Sequence, residues 1–324
     1  MPTEDDFELV EVPISEPGEG EVLVGNIYMS VDPYMRGRMT DRESYVPPFQ
    51  IGEPLDGGSV GQVIQSKSPA YEKGDYVSGM RGWREYYLSD GSDLAKVDPN
   101  MAPLQTYLGI MGMPGMTAYI GLLEMGRPNK GDTVFVSSAS GAVGSAVCQI
   151  AKIKGCRVVG SAGSDEKVSW LLNEAGIDAA INYKKSGHLM RKLGELCPDR
   201  IDIYYDNVGG EHLEAALENM NECGRLVLCG MISQYNATTR PRGPGNLFRA
   251  IERRLSLRGF IVTDHFDRMK EFHSQMGSWI RDGKMKWKET IAEGIEKAPG
   301  AFIGLFEGDN FGKMLVKLGP DPAV

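Results

Sequence analysis

A glycine-rich turn is the part of this sequence whose residue types and spacing point most directly to chemistry. Residues 133–150 read TVFVSSASGAVGSAVCQI, with Ala139, Gly141 and Gly144 spaced as small-x-Gly-x-x-Gly between a predicted strand and a predicted helix. Small residues let a backbone approach a pyrophosphate, and a helix N-terminus offers N–H donors and a positive dipole end. The pattern predicts a dinucleotide-binding turn, because the flanking strand and helix that it requires are both present. The alternative is a tight strand-to-helix turn without a ligand.

The next strand and helix bear on which dinucleotide would bind. NAD-binding chains usually place Asp or Glu at the end of the second strand, whereas here that strand runs into residues 160–164, GSAGS, which contain no acid. Ser164 is placed to cap the following helix, and Lys167 falls in its first turn, where a cation opposes the helix dipole unless a phosphate reverses the sign. Tyr183, just after the third strand, adds a hydroxyl. Together these residues predict binding of a 2′-phosphate and therefore of NADP. The alternative is that the neighbouring acids only compensate Lys167 on a solvated face.

Two patterns of secondary structure must position these residues. The first hundred residues read as short strands, among them Glu21–Ser30, Val60–Ser66 and Asp75–Ser78, separated by Gly and Pro clusters. This spacing predicts a β-rich, barrel-like domain. From about Met111 onward, short apolar strands alternate with helical segments, which is typical of βαβ units and a parallel sheet.

The alternation continues as far as residue 229. The predicted strands are Thr133–Ser137, Arg157–Ser161, Ala179–Asn182, Ile201–Tyr205 and Arg225–Cys229. The predicted helices are Thr117–Leu123, a segment through Ile150 and Lys154, Glu166–Glu174 and Leu213–Met220. The tail from Met285 returns to short mixed elements. The predicted class is therefore α/β, with a doubly wound Rossmann sheet over residues 111–283 inserted into a β-rich domain built from residues 1–110 and 284–324.

Charge and composition exclude several classes of partner. The 324-residue chain has a formal net charge of −9, which disfavours binding to nucleic acid. No apolar run approaches the length of a membrane span, and the acidic start, Met1–Asp6, is unlike a signal peptide. We therefore expect no nucleic-acid or membrane partner and a cytoplasmic location.

The cysteines and histidines form no recognisable ligand spacing. They are Cys148, Cys156, Cys197, Cys223 and Cys229, and His188, His212, His265 and His273. Because no C-x-x-C pair occurs among them, the sequence predicts neither a disulfide framework nor a metal site.

Five sequence blocks resemble the medium-chain dehydrogenase/reductase superfamily, specifically its zinc-free, NADPH-dependent branch. That branch includes leukotriene B4 dehydrogenase/prostaglandin reductases, plant alkenal double-bond reductases and bacterial curcumin reductases. The blocks are residues 30–39, SVDPYMRGRM; 112–119, GMPGMTAY; 206–210, DNVGG; 259–262, GFIV; and 308–313, GDNFGK. The resemblance covers nearly the whole chain, and five blocks in the right order are far more specific than any one of them.

The resemblance implies a GroES-like catalytic domain at the two ends of the chain, an NADP-binding Rossmann domain between them, and NADPH as the cofactor. The superfamily's alcohol dehydrogenases place a zinc-ligand cysteine in the block matched by residues 30–32, and no cysteine precedes Cys148 here. The resemblance therefore implies hydride transfer without a metal.

It also implies a set of cofactor-binding residues. For the pyrophosphate these are Gly141, Ala142, Val143 and Gly144; for the adenosine ribose and its 2′-phosphate they are Gly163, Lys167 and Tyr183. Toward the nicotinamide they are Asn207, the loop residues Cys229, Gly230, Ser233 and Tyr235, the backbone of Phe260, Ile261 and Val262, and Asn310 from the tail. Without the resemblance, most of them would be interpreted as turn formers, small buried residues or core strand.

The activity that the resemblance implies is hydride addition across the carbon–carbon double bond of a small α,β-unsaturated aldehyde or ketone, of the alkenal, curcumin or 15-oxoprostaglandin type, by a homodimer. Tyr45, in SYVPPF, is its candidate for a catalytic donor to the developing oxyanion or for a substrate clamp. The cofactor's own ribose hydroxyl is the competing donor, and the alternative for Tyr45 is packing in a Pro-rich loop. No Ser–His–Asp or Cys–His arrangement is readable.

Two departures from the family pattern and two other functions stay open. Phe248 stands where the branch often carries a tyrosine, which favours an apolar lid, and the family's first strand has no counterpart before Glu4, so an unpaired sheet edge is expected. The alternatives to an enone reductase are a quinone reductase of the same superfamily and a non-catalytic NADPH-binding sensor.

Overall fold

The structure is a computed structural model that describes residues 1–322, and it divides into two compact units. One unit consists of Met1–Gly112 together with the segment that begins at Glu289, and the other consists of Met113–Lys288. The second unit is thus inserted into the first along the sequence. The predicted joins after residues 110 and 283, and the roles given to the domains, stay predictions.

The described residues form the following regular elements. The strands are β1 Val22–Ser30, β2 Ser59–Ser66, β3 Tyr76–Gly79, β4 Tyr86–Ser89, β5 Ala95–Lys96, β6 Thr133–Val136, β7 Arg157–Ala162, β8 Ala179–Asn182, β9 Ile201–Asp206, β10 Met220–Leu228, β11 Ser256–Gly259, β12 Glu289–Glu293 and β13 Lys313–Lys317. The helices are α1 Met35–Arg38, α2 Met113–Ile120, α3 Ala142–Ile153, α4 Asp165–Asn173, α5 Leu189–Leu196, α6 Gly210–Asn219, α7 Arg249–Glu252, α8 Met269–Arg281 and α9 Ala298–Glu307. A π-helical turn, Gly121–Gly126, continues α2.

The inserted unit is built on a six-stranded sheet in the order β8-β7-β6-β9-β10-β11, and its neighbouring strands pair in parallel. Numbered within the unit, this is the order 3-2-1-4-5-6 of doubly wound nucleotide-binding sheets. Strand β6, TVFV, is buried throughout, as expected of a parallel strand covered on both faces. The predicted α/β class with a Rossmann-type sheet is confirmed.

Several predicted boundaries in this unit are wrong. The helix expected over Thr117–Leu123 begins four residues earlier, at Met113. The helix expected over Leu213–Met220 begins earlier, at Gly210, and Met220 already belongs to β10. The early start follows a glycine with a φ of 71°, Gly209, and β10 then contains a register shift between Met220 and Arg225. The shift includes Cys223 at a φ of 59°, and an irregular strand of this kind leaves no simple alternation in the sequence.

The other unit holds a mixed seven-stranded sheet in the order β12-β13-β1-β2-β3-β5, with β4 also paired to β1. The two ends of the chain meet in it, because β13 pairs antiparallel with β1 and places Val316 opposite Met29. Its core includes a stack of Phe7 on Trp83 with ring centroids 5.6 Å apart, and the ring of Phe302 packs edge-on against both. Aromatic pairs in these geometries stabilise a core beyond the area that they bury.

This sheet also buries ionisable side chains. The ammonium of Lys313, on β13, donates to the carbonyls of Val31 and Met314 at 2.9 and 2.8 Å and lies 3.2 Å from the Asp32 carboxylate. Burial lowers the pKa of Lys313, and Asp32 opposes that shift. Three acceptors thus surround an ammonium whose side chain is only 4% exposed, so its charge is compensated inside the protein.

Glu289, beside Lys313 in the β12–β13 pairing, is less well compensated. Burial raises the pKa of Glu289 to about 7, although a hydrogen bond from Gln105 and the charge of Lys313 pull it down. Both Glu289 Oε1 and Gln105 Oε1 are buried acceptors without a hydrogen-bond donor. A proton on Glu289 would supply the donor that this pair of side chains lacks.

We therefore expect Glu289→Gln to stabilise the protein more at pH 8 than at pH 5. The folded state binds a proton that the unfolded chain has lost over the window from about 4.5 to about 7, so wild-type stability falls as pH rises through it. The amide has no proton to lose, and the gain at pH 8 relative to pH 5 should be about 1 to 3 kcal/mol. Urea unfolding of both proteins at the two pH values measures it.

Glu293→Gln is the matched control, because Glu293 lies on the same strand and is exposed. Its stability difference from wild type should be the same at both pH values. Stability curves of Glu289→Gln and wild type that run parallel from pH 5 to pH 8 would contradict the assignment.

Candidate cofactor site

Three of the predicted site segments leave the same edge of the parallel sheet. The strands β6 and β9 are neighbours, with Val136 opposite Tyr205, and the strand order reverses between them. The glycine-rich turn follows β6, residues 206–210 close β9, and residues 229–235 follow β10. Ligands of doubly wound sheets bind outside the carboxyl ends of the strands at such a reversal. The fold therefore gathers these segments where a dinucleotide would bind.

The glycine-rich turn brings α3 very close to the end of β6. A Cβ atom on Gly144 would lie 2.2 Å from the carbonyl oxygen of Ser138, and one on Gly141 would lie 3.2 Å from the same atom. Gly141 precedes the helix, and no side chain caps it. The N–H groups of the first turn, which includes Ala142 and Val143, are therefore left for another acceptor, and an anion is the acceptor that the helix dipole favours.

Asn207 is held against the end of β6 by two hydrogen bonds to Ser137. Its backbone N–H donates to Ser137 Oγ at 2.9 Å and its side-chain amide donates to the Ser137 carbonyl at 2.7 Å. The buried hydroxyl of Tyr204 donates to Asp206 Oδ1 at 2.6 Å and lies 3.1 Å from Ser137 Oγ. Burial raises the pKa of Asp206. Because both amide bonds are donated inward, the side-chain oxygen of Asn207 is the atom left to accept from a ligand hydroxyl.

The loop at residues 229–235 is tied to the segment that follows β9. The N–H groups of Cys229 and Gly230 donate to the Asp206 carbonyl at 2.9 and 3.0 Å, and the N–H and hydroxyl of Ser233 donate to the Val208 carbonyl at 3.2 and 2.6 Å. The hydroxyl of Tyr235 folds back and accepts from the N–H of Met231 at 3.3 Å. The loop and Asn207 therefore form one hydrogen-bonded wall.

Cys229 contributes to this wall as an apolar group. Burial raises the pKa of its thiol to about 12, although a hydrogen bond from Tyr205 partly opposes the shift. The Tyr205 hydroxyl lies between the Cys229 thiol and the Thr117 carbonyl, and its oxygen is 2.9 Å from that carbonyl oxygen. A thiol with this pKa is protonated at neutral pH, and the protonated thiol is the less nucleophilic form.

At the tip of β7, the predicted helix cap is present. Ser164 Oγ accepts the backbone N–H of Lys167 at 3.3 Å. A Cβ atom on Gly163 would lie 3.4 Å from both the Tyr183 hydroxyl and Lys184 Cε. A hydroxyl and the chain of a lysine therefore converge on Gly163, where an adenosine ribose is predicted.

Asp165 begins α4, directly after the tip of β7, and its carboxylate is engaged elsewhere. Its carboxylate accepts from Asn182 Nδ2 at 2.5 Å and from Lys185 Nζ at 2.5 Å, and these two bonds lower the pKa of Asp165. The ion pair is exposed and contributes little to stability. It does pair one of the two acids, Asp165 and Glu166, that begin α4 beside this tip.

The segment after β11 approaches the π-helical turn that continues α2. A Cβ atom on Gly121 would lie 2.7 Å from Phe260 Cζ and 2.4 Å from the Tyr205 hydroxyl. The carbonyl of Ile261 accepts the N–H of Asp264 at 3.2 Å, and Val262 is buried. Only a glycine at residue 121 leaves room for the Phe260 ring here.

Two predicted site residues belong to the other unit. Tyr45 lies in the irregular segment between α1 and β2, with 63% of its surface exposed. Asn310 lies just before β13, and its side-chain amide donates to the Gly312 carbonyl at 2.8 Å. The roles of both residues stay predictions.

Two further observations concern metals and membranes. Across residues 1–322, no cluster of three or more His, Cys, Asp or Glu side chains is arranged to hold a metal ion. No helix within that range is both long enough and apolar enough to cross a membrane.

Three features of the inserted unit fit a phosphorylated dinucleotide. No side chain caps the start of α3, the glycines of the turn leave room beside it, and Asp165 is already paired with a lysine. Sequence reasoning missed the residues that support this arrangement, namely Ser137, Asn182, Lys184, Lys185, Tyr204 and Asp206. A polar residue ending an apolar strand was a usable signal for Ser137. No sequence signal pointed to Asn182 and Lys185, because their partner, Asp165, is distant in sequence.

Comparison with known proteins finds relatives that match nearly the whole length of the chain. Family models described as N-terminal domain of oxidoreductase and zinc-binding dehydrogenase match residues 1–97 and 142–278. The NADP(+)-dependent 2-alkenal reductase of Nicotiana tabacum is 47% identical over 320 residues, covering 97% of this chain and 93% of that protein. The NADPH-dependent curcumin reductase of Escherichia coli is 43% identical over 325 residues, covering 99% and 94%. The crystal structure of CurA in complex with NADPH from Vibrio vulnificus superposes with a TM-score of 0.94 at 43% identity, covering 99% and 96%.

The chain belongs to the NADPH-dependent branch of the medium-chain dehydrogenase/reductase family. The resemblance drawn from five sequence blocks is thereby confirmed. The family identity also agrees with the parallel sheet and glycine-rich turn of this medium-chain reductase.

In this medium-chain reductase, Gly144→Ala should weaken both stability and NADPH binding. The added methyl would overlap the Ser138 carbonyl, so the start of α3 must shift away from β6. Overpacking of this kind costs about 1 to 3 kcal/mol. Thermal unfolding and a fluorescence titration with NADPH measure the two effects.

Gly243→Ala is the control, because a Cβ atom there meets nothing within 4 Å. It should leave the unfolding temperature and the NADPH dissociation constant unchanged. Wild-type behaviour of Gly144→Ala in both assays would show that the turn tolerates a side chain.

Proposed function

We propose that this medium-chain reductase uses NADPH to reduce the carbon–carbon double bond of small α,β-unsaturated aldehydes and ketones. The observation that carries the proposal is identity of 43–47%, over nearly the full length, with proteins named for curcumin and alkenal reduction. The absence of nucleic-acid and membrane partners and a cytoplasmic location remain predictions. Because no cysteine precedes Cys148, no metal is invoked.

The preference for NADPH is supported by the tip of β7. No acid ends that strand, the nearest carboxylate is paired with Lys185, and Lys167, Tyr183 and Lys184 lie on the elements beside Gly163. We assign the 2′-phosphate to this cluster and the pyrophosphate to residues 141–144. Gly230, Ser233, Tyr235 and residues 260–262 would line the nicotinamide half.

Bound NADPH would supply the hydride that adds to the β-carbon of the acceptor. The side-chain oxygen of Asn207 is positioned to accept from a ribose hydroxyl and so to orient the nucleotide. Hydride addition moves negative charge onto the acceptor's carbonyl oxygen, where losing one donor costs about 3 to 4 kcal/mol. We assign Tyr45 as that donor or as the clamp that orients the carbonyl, with the nucleotide's ribose hydroxyl as the competing donor.

The pure protein should oxidise NADPH when an enone such as 4-hydroxynonenal or curcumin is added, followed by the loss of NADPH absorbance. Turnover of enones should exceed turnover of quinones. Tyr45→Phe removes the donor hydroxyl and should lower kcat/KM for the enone by about tenfold or more, with NADPH binding unchanged.

Tyr86→Phe serves as the matched control, because Tyr86 is another exposed tyrosine of the same unit. It should retain wild-type kcat/KM. Faster turnover of quinones than of enones would identify a quinone reductase, and NADPH binding without oxidation by any acceptor would identify a sensor.

A homodimer is also part of the proposal, and strand β11 supports it. This strand ends the parallel sheet, and each of its residues, Ser256–Gly259, is exposed. An exposed strand edge is a template for pairing with another strand, and a two-fold axis would join two copies through it. We assign this edge as the contact between subunits.

Light scattering after size exclusion should therefore give twice the 35.5 kDa mass of the chain. Leu257→Lys places a charge on the edge and should shift the protein toward the monomer mass. Leu172→Lys, which changes a similarly exposed leucine on α4 (40% against 37% for Leu257), should leave the mass unchanged. A wild-type monomer would refute the dimer.

A further inference from the structure

His212 is a buried side chain that the proposed reaction does not use. It lies near the start of α6 and is 5% exposed. Burial lowers the pKa of its imidazole to about 4, so the ring is neutral at physiological pH. Within residues 1–322 its Nε2 atom has no hydrogen-bond partner. A buried nitrogen left unpaired is unfavourable and calls for another reason for a histidine at this place.

The ring of His212 packs against the ring of Tyr183. The two centroids are 5.0 Å apart and the ring planes meet at 76°, an edge-to-face arrangement. Aromatic pairs prefer this geometry over a parallel sandwich, and an aliphatic side chain of similar size would not reproduce it. The contact therefore acts on the orientation of the Tyr183 ring as well as on its burial.

Tyr183 needs such a restraint. Its surface is 40% exposed, yet its hydroxyl lies 3.4 Å from the position of a Cβ on Gly163. Across the part of the chain that the structure describes, no hydrogen bond fixes that hydroxyl. The His212 ring, on α6, packs edge-to-face against the Tyr183 ring, and a packed neighbour of this kind restricts the orientations that a ring can adopt. Ordering a side chain before its ligand arrives reduces the entropy lost on binding.

We infer that His212 is a positioning residue that fixes Tyr183 over Gly163 and so contributes to the preference for a nucleotide with a 2′-phosphate. The inference rests on the proposed placement of that phosphate beside Lys167 and Tyr183. His212 adds no charge to the site. Its aromatic contact is with Tyr183, so we expect its effect at the phosphate end of the nucleotide.

The test compares equilibrium binding of two fragments, adenosine 2′,5′-bisphosphate and adenosine 5′-monophosphate, by calorimetry. These probes differ only in the 2′-phosphate, and neither requires turnover. His212→Leu should weaken binding of the bisphosphate by about 2- to 10-fold, the range of one aromatic pair, and leave that of the monophosphate unchanged. His212→Phe restores a ring at this place and should recover most of the loss.

Tyr183→Phe and Lys167→Ala are the reference variants, and both should selectively weaken the bisphosphate. The double variant His212→Leu/Tyr183→Phe should bind no worse than Tyr183→Phe alone, because without the hydroxyl the orientation of the ring no longer matters. The loss in His212→Leu should also be constant between pH 6 and pH 8, since a neutral imidazole does not titrate there.

The outcomes separate this inference from the proposal beneath it. If Tyr183→Phe and Lys167→Ala leave both fragments unaffected, the placement of the phosphate is wrong, and the inference fails with it. If they weaken the bisphosphate but His212→Leu weakens both fragments equally, or neither, only the inference fails. Should His212→Leu not fold, His212→Gln, which lacks a ring but keeps polar atoms, replaces it with the same expected result.

Discussion

The first turn of α3 and the end of β6 approach each other so closely that no side chain fits at Gly144, where a Cβ would lie 2.2 Å from a carbonyl oxygen. The remainder of the candidate site depends on this approach. It aims the uncapped start of α3 at the reversal of strand order. It also leaves Ser137, the first residue after β6, free to hold Asn207, which directly follows the neighbouring strand β9. A wider turn would separate the phosphate donors from the wall that follows β9 and β10.

Local neutralisation lets an acidic protein accept an anionic ligand. The chain has a formal net charge of −9, and two acids begin α4 directly beside the tip of β7. One of them, Asp165, is paired with Lys185 and Asn182. Because electrostatic interactions at a surface decay within about 8 to 10 Å at physiological salt, the arrangement near the tip matters more than the net charge.

Much of the parallel sheet could be predicted from the sequence, since β6, β7 and β8 are short apolar runs separated by glycines and helical patterns. Strand β11 could not be, because SLRG is exposed and has no apolar alternation. The predicted start of β10, at Arg225, was wrong, because the strand begins at Met220 and its register shift arises from pairing with β9.

The family resemblance supplied the cofactor-binding residues. The residues that hold them in place could not be predicted, because the hydrogen-bond network from Ser137 to Asp206 joins residues 69 positions apart. The Asp165–Lys185 pair shows the same limit: the acids beside Lys167 suggested local compensation, and the partner of Asp165 lies in the turn that follows the next strand, β8.

The pairing of β1 with β13 has a consequence for biosynthesis. The inserted unit is one continuous stretch, Met113–Lys288, so a ribosome releases all of it before β12 and β13 emerge. Until then β1 can pair with β2 and β4 but lacks its third antiparallel neighbour, β13, and the core that packs Met29 against Met314 and Val316 is incomplete. Contacts this distant along the chain form late and slowly. The half-made N-terminal unit is thus the stage of the nascent chain most exposed to aggregation and most in need of chaperones.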